Sequence, residues 1–269
     1  MEPRLVDRYL RLLGVQRERP SADALRELVR AHLCRVPFEN VSKLYFKKHL
    51  GLRGLPGLER FLAGIERYHF GGTCYPNNCY FYELLTSLGY RTTLCGADMS
   101  KPDVHLVCIV DLEDRQFLVD VGYAAPFFTP LPRDLKNDYV IEWGRDRYVL
   151  GPQDDSGRSR LELYRDGSLK HGYVVKPTPR RIGDFDKVIA DSYRDEATFM
   201  NAILLARFFP DRSLVVQNLT VVEAGTTSKI HALTDRGELV RIVEERFGIP
   251  SRITAEAVDG LDLLRDAWD

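Results

Sequence analysis

The 269-residue chain has almost no net charge, no long apolar run and no paired-cysteine motif, and each shortage removes a class of function. Its 38 Lys+Arg against 39 Asp+Glu leave a formal charge of −1, so there is no bulk attraction to nucleic acid or to an anionic membrane. No run approaches the ~20 consecutive apolar residues of a bilayer span. The N-terminal MEPRLVDRYLRLL lacks the basic, then apolar, then small-residue order of a secretory signal, so a cytoplasmic protein is expected. The five cysteines, Cys34, Cys74, Cys79, Cys95 and Cys108, are odd in number and form no Cys-x-x-Cys. The six histidines are scattered, so no metal site is expected. Free thiols in a reducing compartment follow. No Gly-x-Gly-x-x-Gly or Walker loop occurs, which removes the argument for a nucleotide-binding enzyme.

What is present is ordinary globular composition, 44% hydrophobic and 29% charged. That excludes disorder, collagen and coiled coil. The first 89 residues read as helical. Leu5, Tyr9, Leu12 and Leu13 share one face before Gly14, Ser21 suits an N-cap before Leu25, Leu28, Val29 and Leu33, and Leu58, Phe61, Leu62 and Ile65 form a third face. After Gly71-Gly72, Phe81, Leu84, Leu85 and Leu88 mark a helix with Pro76 in its first turn and Gly89 at its end. From Arg91 the pattern shortens into runs over 91–99, 104–112 and 116–123, and Asp166-Gly167 joins two more as a hairpin. Residues 90–190 therefore read as an antiparallel sheet or small barrel. The remaining segment, 191–269, is mixed: a helix over 196–208 with Met200, Ile203 and Leu204 inward, strands at 214–219, 220–223 and 229–233, and a helical face of Leu239, Ile242, Val243 and Phe247.

Chemistry concentrates in Phe70-Gly71-Gly72-Thr73-Cys74-Tyr75-Pro76. Glycines permit a tight turn, and the cysteine falls at a helix start, where unpaired N–H groups and the dipole favour an anion such as a thiolate. The bland alternative is a small residue filling a turn. A thiolate nucleophile needs a base and an orienter. His105, within the run 104–112, and Asp120, within Leu118-Val119-Asp120-Val121, lie on successive strands. With a turn at 113–115, position 105 nominally faces 123, and a modest register shift brings His105 and Asp120 together. A carboxylate in such an apolar run is costly unless paired. A structural hydrogen-bonded pair remains the alternative for His105 and Asp120 alone; Cys74, His105 and Asp120 together point to a catalytic triad. Cys108, at odd spacing from His105, and Cys79 and Cys95 read as core. His231 reads as a strand histidine, and His32 as packing or surface rather than a ligand.

These residues resemble the arylamine N-acetyltransferase family. The resemblance rests on Val36-Pro37-Phe38-Glu39-Asn40, Gly71-Gly72-Thr73-Cys74 with Asn78, His105-Leu106, Val119-Asp120-Val121-Gly122-Tyr123 and Glu245-Arg246-Phe247-Gly248-Ile249, in order along nearly the whole chain. It implies an α+β fold: a cysteine-protease-like N-terminal helical domain (1–89), an antiparallel β-barrel (90–190) and a C-terminal α/β lid (191–269). It implies catalysis by Cys74, His105 and Asp120, acetyl-CoA as cosubstrate, no metal, and a small arylamine or hydrazine as acceptor. It also implies an aromatic substrate pocket from Tyr123, Phe127 and Phe38, though ordinary barrel core explains the first two equally well; no residue is assigned to coenzyme A. Two positions depart from the family's Arg-Gly-Gly-x-Cys-x-Glu-x-Asn: Phe70 stands for the Arg and Pro76 for the Glu. Glu39 then needs another partner, with Arg35 and His69 as candidates. Losing both charges is gentler than stranding one. A papain- or transglutaminase-like thiol hydrolase, a macrolactam-forming amide synthase and a catalytically inert homologue remain alternatives.

Overall fold

The computed structural model describes residues 1–261 and Leu264. In chain order it runs α1 (Pro3–Leu13), α2 (Ala22–Arg35), β1 (Phe38–Glu39), α3 (Val41–Leu50), α4 (Leu58–Tyr68) and α5 (Cys74–Ser87). Eight strands follow: β2 (Arg91–Asp98), β3 (His105–Leu112), β4 (Arg115–Val119), β5 (Leu131–Pro132), β6 (Tyr139–Trp143), β7 (Asp146–Leu150), β8 (Ser159–Arg165) and β9 (Ser168–Pro179). The rest is α6 (Asp186–Asp191), β10 (Leu204–Phe208), β11 (Ser213–Gln217), β12 (Thr220–Ala224), β13 (Ser228–Ala232), α7 (Arg236–Phe247) and α8 (Ser251–Asp259). Positions 262, 263 and 265–269 of the expected C-terminal segment lie outside the described residues.

The helix ends follow their capping residues. Gly14, in the left-handed region at φ 62°, closes α1 by donating its N–H to the Arg11 and Leu10 carbonyls. Ser21 accepts the Ala24 N–H at 3.1 Å and opens α2. The helix α3 has no counterpart in the sequence reading. Its buried face includes Ser42 and Lys43 beside Val41, Leu44 and Phe46, so its apolar stripe is too broken to show as periodicity. The helix α5 is different again: every residue from Cys74 to Phe81 is buried. A helix buried on all sides belongs at the centre, and α5 packs against β2 and β3 while its buried Asn77 and Asn78 find hydrogen-bond partners.

Two antiparallel sheets carry the remainder. The larger has eight strands in the order β5-β4-β3-β2-β9-β8-β7-β6, a nearly closed, barrel-like sheet. The smaller runs β1-β10-β11-β12-β13, so Phe38 and Glu39 from the helical region supply its edge strand, with Phe38 facing Ala206 and Glu39 facing Leu205. This sheet corrects the helix expected over 196–208. A short 3-10 turn at Thr198–Met200 is followed by β10. The apolar run Ala202–Ala206 fits a strand buried on both faces as well as a helix, and hydrogen bonding to β1 and β11 on either side selects the strand.

Candidate active site: a cysteine, a histidine and a carboxylate

The nucleophile candidate is held by close backbone packing. The Gly71-Gly72 segment runs against Pro37–Glu39: Phe38 and Gly72 form a β-bridge, and the Glu39 N–H donates to the Gly72 carbonyl at 3.0 Å. A Cβ on Gly71 would stand 1.8 Å from the Pro37 carbonyl oxygen, so no larger residue fits there. Cys74 follows as the first residue of α5, buried at 7% exposure.

His105 and Asp120 come together at the open end of the β3–β4 hairpin. His105 opens β3 instead of lying within it, and Asp120 is one residue beyond the end of β4. The hairpin register sets Cys108 opposite Val119 and Leu112 opposite Arg115; extended, it places position 105 opposite 122 and not 123. The register is thus shifted by one residue from the nominal count, and Asp120 follows directly after the ladder ends at Val119.

Asp120 is 2% exposed, and donors surround its carboxylate. Oδ2 accepts from His105 Nε2 at 2.7 Å and from the Tyr173 hydroxyl at 2.8 Å. Oδ1 accepts from Asn78 Nδ2 at 2.8 Å and from the Gly122 N–H at 3.0 Å. Burial alone would raise the pKa of Asp120; the charge and hydrogen bond of His105, with the Asn78 and Gly122 donors, hold it below the ordinary value of 3.8. Burial alone would lower that of His105; the Asp120 charge and hydrogen bond, with a hydrogen bond and charge from Cys74, raise it from 6.5 to about 10. Because Nε2 is engaged by Asp120, Nδ1 is the nitrogen left to meet the Cys74 sulfur.

The other cysteines sit in different surroundings. Burial pushes the thiols of Cys79, Cys95 and Cys108 upward, and that of half-buried Cys34 as well. His32 is fully buried between Tyr9 and Asn77, and His231 is exposed on β13.

The aromatic candidates divide. Tyr123 lies beside the imidazole, with ring centroids 5.6 Å apart, and its hydroxyl meets His171 Nδ1 at 2.5 Å. Phe127 stacks parallel behind Tyr123 at 6.0 Å and packs on Tyr148. Phe38 stands edge-on to Phe199 at 5.7 Å.

Neither expected partner reaches Glu39. Its carboxylate accepts the Ser42 N–H at 2.7 Å and the Gly71 N–H at 3.1 Å. The Arg35 guanidinium lies against Gly14, and the His69 ring against Gly248. Backbone donors from the start of α3 and the nucleophile turn substitute for a cation, and Phe70 joins a cluster with Phe46, Tyr68 and Tyr45.

Sequence reasoning missed Tyr173. Tyr173 faces inward on β9, as alternation allows, but no local signal ties its hydroxyl to a carboxylate 53 positions earlier. Among the described residues, no helix is long and apolar enough to cross a membrane, and no group of three His, Cys, Asp or Glu is arranged to hold a metal ion.

A cysteine at a helix start, facing an imidazole held by a buried carboxylate, is the arrangement of thiol-dependent acyl-group chemistry. The model of a family described as N-acetyltransferase matches residues 21–255. The chain is 32% identical over 243 residues to an arylamine N-acetyltransferase / N-hydroxyarylamine O-acetyltransferase of Salmonella typhimurium, covering 86% of this chain and 83% of that one. The fold is similar to an arylamine N-acetyltransferase of Nocardia farcinica, with a TM-score of 0.77 at 26% identity over 94% of this chain and 92% of that one. It is also similar to one from Mycobacterium abscessus, at 0.79 and 20% identity over 95% and 94%. The chain belongs to the arylamine N-acetyltransferase family and is an enzyme of that type.

Proposed function

We propose that the protein moves an acetyl group from acetyl-CoA to a small arylamine or hydrazine through an acetyl-Cys74 intermediate. The observation that carries this is the imidazole of His105, bonded through Nε2 to buried Asp120 at 2.7 Å and close enough to Cys74 that the cysteine helps to raise its pKa.

The Cys74 proton passes to His105 Nδ1, and the raised pKa of His105 favours the resulting imidazolium. The thiolate attacks the thioester carbonyl. Oxyanion charge falls near the N–H groups of Cys74 and Tyr75, which have no intrahelical acceptors in the first turn of α5; Pro76 offers none. The carbon–sulfur bond to CoA breaks, and the departing thiolate takes the proton from His105. A weakly basic amine, unprotonated at neutral pH, then attacks the acetyl carbonyl. The new carbon–nitrogen bond replaces the bond to Cys74, and His105 removes the amine proton. Asp120 holds the imidazole in orientation throughout, and Tyr173, Asn78 and Gly122 hold Asp120.

Tyr123 and Phe38, with Phe127 behind Tyr123, supply the aromatic wall for the acceptor in this reading. Five free thiols suit a cytoplasmic setting. The test is intact mass after incubation with acetyl-CoA alone. One acetyl adduct mapped to Cys74 is expected, with parallel double-reciprocal lines in steady state. A protein that turns over arylamine without that adduct, or keeps turnover as Cys74→Ala, refutes the mechanism. Alkylation by iodoacetamide at pH 6 without any acyl-CoA adduct points to the hydrolase reading, and an unreactive Cys74 points to the inert one.

A further inference from the structure

Tyr123 is held by a hydrogen bond that the covalent steps above do not use. Its ring, 7% exposed, lies 5.6 Å from the His105 imidazole, and its hydroxyl meets Nδ1 of half-buried His171 at 2.5 Å. Two neighbours hold the ring from other sides. Phe127 lies parallel to it at 8° with centroids 6.0 Å apart, and Tyr173 meets it edge-on at 84° and 4.9 Å. His171 and Tyr173 stand two positions apart on β9, so they share a face of that strand. One strand thus serves both neighbours of the imidazole: Tyr173 bonds Asp120 at 2.8 Å, and His171 bonds Tyr123.

Burial sets the direction of the bond. It pushes the Tyr123 phenol up, so the hydroxyl keeps its proton and donates it. Burial, with the charge of Arg165, lowers the pKa of His171 from 6.5 to about 4, so at neutral pH the ring is uncharged and Nδ1 accepts. A hydroxyl on a buried ring costs free energy unless it is bonded, and packing alone would be served as well by phenylalanine. The bond ties the hydroxyl to β9 and so fixes where the ring stands relative to His105.

We propose that His171 is a positioning residue for the acceptor: it anchors the Tyr123 ring beside the imidazole, and that ring sets how an arylamine approaches acetyl-Cys74. This rests on the acetyl-Cys74 reading above and names a residue that governs its second half. In that half the amine must reach the acyl carbon while giving its proton to His105, which brings the acceptor against the ring 5.6 Å from the imidazole. In the first half the Cys74 proton passes to His105, which Asp120 orients and Tyr173 supports through Asp120. Loss of His171 leaves the Tyr123 hydroxyl buried without its acceptor, so the ring shifts to find another and the acceptor loses its wall. Removing the hydroxyl and its acceptor together leaves neither unsatisfied, so the doubly altered pair lies nearer the wild type than the single change.

The experiment measures kcat/KM for one arylamine and for acetyl-CoA, each of which reports one half of a ping-pong cycle. The readout is the ratio of the two in the wild type, in His171→Leu and in the double variant His171→Leu/Tyr123→Phe. His171→Leu is expected to lower the arylamine value relative to the acetyl-CoA value by about five- to a hundredfold, the cost of a buried hydroxyl left unbonded. The double variant is expected to recover most of that loss. A merely structural role would lower both values together, so an unchanged ratio in His171→Leu overturns the proposal, as does a double variant no better than the single one. Should His171→Leu fail to fold, the ring 15N shifts of His171 in the wild type at neutral pH decide: a proton on Nε2 and a bare Nδ1 are expected, and a proton on Nδ1 overturns the proposal. Failure of the acyl-enzyme reading itself shows separately, as the absence of any adduct on Cys74 with acetyl-CoA.

Discussion

Replacing Gly122 by alanine tests how tightly the nucleophile is located. A Cβ at Gly122 would stand 2.7 Å from the Cys74 Cα, 2.8 Å from Asn78 Nδ2 and 3.0 Å from the Cys74 carbonyl oxygen. Carbon atoms in comfortable contact are about 3.5–4.0 Å apart, so the methyl group must push the start of α5 away by about 1 Å. Two of the three obstructing atoms belong to the backbone of a buried helix and cannot rotate aside. The third bonds Asp120, so the displacement also loosens the carboxylate that holds His105. Overpacking of this kind costs about 1–3 kcal/mol of stability. A misplacement of about 1 Å between nucleophile and base costs about a hundredfold in rate. Gly122→Ala should therefore remain folded with a lowered melting temperature and lose about two orders of magnitude in kcat/KM, measured as CoA release from acetyl-CoA in the presence of an arylamine. Wild-type kcat/KM in a variant with an unchanged melting curve would refute the argument, because it would mean that this contact does not locate Cys74.

Asp120→Asn removes the charge that orients His105 while keeping the shape; a loss of about 10²–10⁴ in kcat is expected from initial rates, and a change under tenfold would count against Asp120 as orienter. The raised pKa of His105 carries a stability signature: its contribution is fully present below the unfolded value of 6.5 and is lost as pH rises through about 10. The depressed pKa of Asp120 contributes above 3.8 and is lost as pH falls further. The stability difference between the wild type and His105→Gln, followed by urea unfolding, should thus be largest between these two values and shrink toward pH 10; a difference that grows with pH contradicts the assignment. Tyr9→Phe strips the donor from buried His32 Nδ1, 3.1 Å away, and should cost about 1–3 kcal/mol in chemical denaturation; no loss would mean that this bond is not formed in solution.

Local signals were most legible where one element suffices. Ser21 and Gly14 bound their helices as their chemistry requires, and the Gly71-Gly72 turn marks Cys74, the proposed nucleophile, at the start of α5. Pairing of His105 with Asp120 follows from the cost of an isolated carboxylate, and the one-residue shift from the nominal register agrees with the small shift expected. The end of β4 at Val119, just before Asp120, could not be counted from the turn. The strand β10 was misread because a short apolar run has no period of its own; its neighbours, including β1 from far upstream, set its conformation.

What the sequence determined alone is therefore chemical: free thiols, a cysteine at a helix start, a histidine at the start of one strand and a carboxylate just past the end of the next. Convergence belonged to the tertiary structure. The saturation of Asp120 by Tyr173 and Asn78 and the Gly71 N–H that helps take the place of a cation at Glu39 both join residues distant along the chain. The reason is that solvation and charge pairing depend on what surrounds a group in three dimensions, and only packing decides which polar atoms are cut off from water together.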